Sequence, residues 1–188
     1  MSRPRSDEKR RAILAAATRV IVEQGLGAPT AGIAKAAGVA NGSFFTYFET
    51  KADLFNQLYL ELKGEMAHAA MKGFPVKAAL REQAFHVWRN WMNFAVSFPA
   101  KRRALAQLGV CEEVTPATRT AALKSAAGLV ELMERMQAEG SLRTASRSFA
   151  GAIMNSLAEA TMDFMLHDPA QARKHCKAGF EALWRAMN

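Results

Sequence analysis

A chain of 188 residues, half of them apolar and 22% charged, can bury a core and has the composition of an ordinary soluble protein rather than of a disordered or disulfide-stapled one. Its longest run without a charge is thirteen residues, Ala36 to Phe48, with Asn, Gly, Ser and Thr among them, short of the roughly 18 apolar residues a spanning helix needs. The 25 Lys and Arg against 17 Asp and Glu, a net +8, favour polyanionic partners.

The basic start Met1–Arg11 leads into a short, Ala-rich stretch that ends at Arg19 and is no secretory core. A cytoplasmic protein with no membrane partner is therefore expected. Cys111 and Cys176 have no chelate spacing, so a disulfide scaffold, a metal and a cofactor are not expected. Strand signals are scarce: Ala, Leu, Met, Lys, Arg and Glu fill the segments between Gly and Pro, which predicts an all-α fold. A first helix is expected from Ser6 or Asp7 to Gln24, with Ile13, Ala17, Val20, Ile21 and Gln24 on one stripe and Gly25 as its stop. Short helices follow over 30–37 and 41–48, separated by Gly38. Thr50, with Asp53 three residues on, caps a longer helix reaching Lys72. Gly73–Pro75 punctuates the chain. Helices are then expected over 76–97, 100–109, 116–138, 145–166 and 169–187, with Thr115 and Asp168 as caps before Pro116 and Pro169. The predicted division is a helix-turn-helix domain over 1–53, a linking helix over roughly 50–72, and a second helical domain over 74–188.

The segment TAGIAKAAGVANGSFFTYF, residues 30–48, sets two short helices around a Gly-containing turn. This is the arrangement by which a second helix is presented to a major groove. Ile33, Ala34 and Ala37 give the first helix a narrow apolar face, Val39 fills the joint, and Phe44 and Phe48, four apart, can bury together. Asn41, Gly42, Ser43, Phe45, Thr46 and Tyr47 are left for other surfaces. From Thr30 to Leu54 the chain resembles the TetR family of transcriptional repressors, matching T-x-x-I-A-x-x-A-G-V-x-x-G-S-F-F-x-Y-F-x-x-K-x-x-L. The likeness reaches back over Arg11, Ile13, Leu14, Ala17 and Gly25.

The resemblance implies a ligand-responsive regulator that acts as a homodimer on double-stranded DNA, at a palindromic operator. It implies Thr30, Ser43, Tyr47 and Lys51 on phosphates, Asn41, Gly42, Phe45 and Thr46 at base edges or thymine methyls, and the basic arm Arg3–Arg11 beside the duplex. The chemistry suits these roles, because hydroxyls and Lys at helix N-termini act with unpaired amides on phosphate, and Asn can pair with adenine through two hydrogen bonds. Ala40 stands where the family usually has Ser or Thr, which leaves Asn41 either to cap the helix or to read a base. Phe45 stays open between packing and DNA contact, and the arm between a solvated charge run and a minor-groove contact.

Beyond residue 70 the resemblance is one of architecture, and implies a ligand-binding and dimerising domain. FHVWRNWMNFAVSF, residues 85–98, is either a core stripe or the wall of a pocket. The effector candidates are Phe85, Trp88, Trp91, Met92, Asn93, Phe98, Glu159 and Met162. His86 and Asn90 are further polar groups, and Arg89 would bind an anion if it faced inwards. A small, apolar or aromatic effector oriented by hydrogen bonds is expected. Phe149, Ile153, Leu157, Phe180, Leu183 and Trp184 on the last two helices are candidates for a four-helix dimer interface, some of them burying within the protomer. Catalysis is not expected: Glu65–His68 is a single ExxH, Cys111 and the His175–Cys176 pair lack partners at useful spacing, and no phosphate-loop or dinucleotide fingerprint is present. The competing readings are an effector-free, nonspecific DNA-binding protein and a helical-bundle carrier or enzyme.

Overall fold

A computed structural model describes the backbone of residues 3–138 and 140–187, and the side chains of all but the first three of these. Among the described residues there is no strand. The helices are α1 (Arg3–Gln24), α2 (Thr30–Ala36), α3 (Asn41–Tyr47), α4 (Lys51–Met71), α5 (Leu80–Ser97), α6 (Pro99–Gly109), α7 (Pro116–Ser125), α8 (Ala127–Ala138), α9 (Arg147–His167) and α10 (Ala172–Met187). They form two compact units. One holds the chain up to Gly64 together with Pro99–Ser125, the other Glu65–Phe98 together with the chain from Ala126 onwards.

In the first unit, α1 presents Ile13, Leu14, Ala16, Ala17, Val20 and Ile21 to a core shared with Ile33, Ala34, Phe44, Phe48, Leu54, Phe55 and Leu58. Gln24, expected on that stripe, is exposed, because the helix ends there at Gly25 (φ +78°), whose amide closes on the Ile21 carbonyl. The turn after α2 is a Schellman motif. Gly38 takes φ +69°, its amide donates to Lys35, and the Val39 amide donates to Ala34. Val39 then packs on the core beside Ala34. Thr50 caps α4 by accepting from the Asp53 amide at 3.0 Å, and the Asp53 carboxylate accepts in return from the Glu49 amide at 3.2 Å. α6 lies along α1, burying Ala104 and Leu108, and Gln107 donates to the Ile21 carbonyl at 3.1 Å.

The second unit is built on α5, α9 and α10, with α8 at its side. Ala84, Trp88, Met92 and Ala95 of α5 meet Ala158, Met162 and Met165 of α9 and Cys176, Phe180 and Leu183 of α10. Three expectations differ. The helix expected over 116–138 is broken at Ala126 into α7 and α8, because Ala122 buries in the first core and Leu132 and Met136 in the second. α5 starts at Leu80 rather than 76, since residues 75–79 form turns held by the buried Gln83, whose amide donates to the Val76 carbonyl at 2.9 Å. Asp168 makes no cap: residues 169–171 are a 3-10 turn, α10 begins at Ala172, and the carboxylate lies 3.5 Å from His175 Nε2.

Candidate nucleic-acid interface and effector region

α3 has two faces. Phe44 and Phe48 point inwards and are fully buried, their rings 5.7 Å apart. Asn41, Gly42, Phe45 and Thr46, at the spacing of one helical face, are exposed, with Ser43 and Tyr47 half-buried on its flanks. Phe45 packs in part: its ring stands edge-on to Phe44 at 5.1 Å while half of the residue stays in solvent. The residue before the helix, Ala40, is extended (φ −64°, ψ 146°) and provides no side-chain cap. Asn41 is the first helical residue, so its exposed side chain is not spent on the cap. Thr30 opens α2 and is half-buried, and Lys51 opens α4 with its ammonium 5.4 Å from the centre of the Phe55 ring. All eight residues assigned to DNA thus lie on α2, α3 and the first turn of α4.

The basic segment before Ile13 behaves differently from a free arm, since the backbone is helical from Arg3. The side chains of Arg3 and Arg5 lie outside the described residues. Arg11 folds back on the Asp7 carbonyl. Arg10 turns to α4, where its guanidinium donates to Gln57 Oε1 at 2.7 and 3.2 Å, lies 3.6 Å from Glu61 and sits over the Phe48 ring. Gln57 passes the link on to Asp53 Oδ1 at 2.9 Å, and Asp53 holds the turn between α3 and α4. A chain of hydrogen bonds thus runs from α1 to the end of the exposed helix. Sequence reasoning missed it, because Arg10 and Gln57 are 47 residues apart and neither spacing nor residue type announces the pair.

The effector candidates are scattered. Trp88, Met92 and Met162 are core, and Trp88 Nε1 donates to the Cys176 carbonyl at 3.0 Å. Trp91 is half-buried, edge-on to Trp88, and Glu159 is half-buried on α9. Phe85 opens onto a cleft of about 350 Å³, together with Arg81 and Phe180. Asn93 and Phe98 border a wider groove of about 540 Å³ along the end of α4 and α5. His86 and Asn90 serve the protein itself: they bond the Lys72 carbonyl at 2.8 and 3.0 Å, and Asn90 also donates to Ala70, so the last carbonyls of α4 are satisfied. Burial pushes the Cys176 thiol up, opposed by Arg89 and by Trp88. Among the described residues no cluster of His, Cys, Asp or Glu is placed to hold a metal, and no helix is long and apolar enough to cross a membrane.

A buried pair of Phe rings behind an exposed polar and aromatic face, on the second of two helices joined by a Gly turn, is the geometry of a helix-turn-helix, the arrangement that presents its second helix to a major groove. Residues 13–58 match the family described as bacterial regulatory proteins, tetR family. The fold is similar to that of a tetR-family transcription regulator from Shewanella sp. PV-4, with a TM-score of 0.81 and 26% identity over 94% of this chain and 96% of that one. It is also similar to a TetR-family regulator from Marinobacter aquaeolei VT8 (TM-score 0.80, 21% identity, 97% and 96% covered). A third likeness is to the transcriptional regulator FadR from Bacillus subtilis in complex with stearoyl-CoA (TM-score 0.69, 19% identity, 92% and 96% covered). The last two speak to the fold alone. Residues 13–58 thus match the model of the tetR family's regulatory proteins, and the fold of the chain as a whole is similar to that of a tetR-family transcription regulator.

Proposed function

We propose that the protein is a homodimeric repressor, working in the cytoplasm without membrane contact, that binds a palindromic operator and leaves it when a small, largely apolar or aromatic effector binds. Residues 1–53 are its DNA-binding domain, and 74–188 its effector and dimerisation domain. Asn41, Gly42, Phe45 and Thr46 read bases, and Thr30, Ser43, Tyr47 and Lys51 hold phosphates. The effector acts by population shift: it binds better to a conformation that does not fit DNA, and linkage weakens the operator complex by the same factor. The segment Gly73–Pro75, after α4, is the relay. The protein binds and does not catalyse.

The observation that carries this reading is the outward face of α3, uncharged, narrow and flanked by Tyr47 and Lys51. The effector response is supported by the likeness in fold to FadR, a protein solved with a ligand that has a long apolar part. The test is equilibrium binding of the full chain to palindromic and scrambled duplexes as salt is raised. A preference of about 10³-fold or more for one palindrome, with log affinity falling linearly in log salt, is the expected result. Equal affinity for both duplexes overturns it.

A further inference from the structure

The groove along α5 is divided by chemistry. Arg89, Asn93 and Ser97 recur every fourth residue, share one face of the helix and are exposed. Lys72, just past the end of α4, adds a second exposed cation to the lining. Phe94 and Phe98, also four apart, pack with ring centres 5.2 Å apart on the same groove, and Phe98 is 47% exposed. No lining residue is acidic. His86 and Asn90 are engaged with the α4 carbonyls and form wall rather than binding groups.

Two like charges beside an aromatic pair, with hydroxyl and amide donors in line, suit an occupant with two parts. An inorganic anion would leave the Phe98 ring in water. A neutral apolar molecule would take water from Lys72 and Arg89 and return nothing to them. An acid group answers the cations, and Arg can hold a carboxylate, sulfonate or phosphate through paired N–H groups.

We infer that this groove binds a small amphipathic anion, its acid group held by Arg89 and Lys72 and its apolar body lying on Phe94 and Phe98. The inference rests on the proposed effector response and names that effector's class and seat. It replaces orientation by neutral hydrogen bonds alone with a charge clamp.

The test uses the full chain with anilinonaphthalene sulfonate, an aromatic anion, and phenyl-naphthylamine, its uncharged counterpart. The sulfonate binds at least about tenfold more tightly than the amine. The double variant Arg89→Met with Lys72→Met loses about tenfold or more in sulfonate affinity and keeps its weak affinity for the amine, whereas Phe98→Ala weakens both. Should the double variant not fold, Lys72→Met alone, at an exposed position, reads the same effect at smaller size. Equal binding of the two probes, or sulfonate binding indifferent to these substitutions, overturns the inference. So does binding confined to vesicles of anionic phospholipid, with none of the dissolved sulfonate. Operator binding is measured on the same samples. A protein that holds the sulfonate through Arg89 and Lys72 and binds no DNA sinks the repressor reading and leaves the groove; one that binds DNA and ignores the sulfonate does the reverse.

Discussion

Lys63 and Arg119 share one ring: the ammonium lies 5.6 Å and the guanidinium 5.7 Å from the centre of Tyr59. Arg119 is held by the carbonyls of Gly109 and Cys111, at 2.7 and 2.9 Å, so it closes the end of α6. Burial, and after it the charge of Arg119, lower the Lys63 pKa. Below the lowered folded value the charged form is present in the folded and the unfolded chain alike, and folding bears the whole cost of the shift. As pH rises through the lowered folded value the proton leaves and the cost fades. Lys63→Met is therefore expected to raise the denaturation midpoint at neutral pH, with a gain that shrinks towards the ordinary lysine range, measured by urea unfolding across pH. At the proposed DNA face the two kinds of contact, to bases and to phosphates, are expected to separate by substitution. Lys51→Ala should weaken all duplexes alike and lower the salt slope by about one, while Thr46→Ala should reorder the preferred sites. Binding titrations on a panel of half-site variants check both.

The exposed face of α3 was legible element by element, because an (i, i+4) pair such as Phe44 and Phe48 fixes the inward side of a helix wherever it docks. The α9–α10 pair was not. Gly179 lies where α10 crosses Thr161 of α9, and a Cβ there would stand 2.1 Å from Thr161 Oγ1 and 2.9 Å from Cγ2. The threonine cannot turn away without cost, since its hydroxyl donates to the Leu157 carbonyl at 2.7 Å. Gly179→Ala should destabilise the protein by about 1–3 kcal/mol in thermal or urea unfolding, and adding Thr161→Ala should recover part of the loss. Full additivity of the two changes would show that the helices do not meet there. No sequence rule marks Gly179, because its need arises from the partner helix and not from its own backbone angles.

At the scale of the molecule, α9 leaves an apolar face uncovered within the protomer. Phe149 and Phe164 are 53% and 62% exposed, with Ile153 half-buried and Ala160 exposed between them at helical spacing. Phe180 and Leu183, offered by the sequence for the same interface, are buried inside the second unit instead. The proposed dimer should therefore rest on α9 more than on α10. Phe164→Glu is expected to raise the dimer dissociation constant by at least about tenfold, near 1.4 kcal/mol, in sedimentation velocity at micromolar concentration. An unchanged dimer would place the interface elsewhere.

By itself the sequence determined the helical class, the turn at Gly38, the cap at Thr50 and the outward face of α3. Each is a matter of neighbours within one or two turns of helix, where periodicity, capping and positive φ act locally. Only the tertiary structure decided that 116–138 is two helices, one for each core, that Trp88 and Met92 are interior, and that Arg10 braces α4. It also decided that Asn93 and Phe98, with Arg89 and Lys72, border a common groove. Those outcomes depend on which side of one helix another covers. An aromatic-rich stripe on α5 satisfies burial whichever of its flanks turns to α9 and α10, so the choice is made by packing between residues distant in sequence and is written in no single segment of the chain.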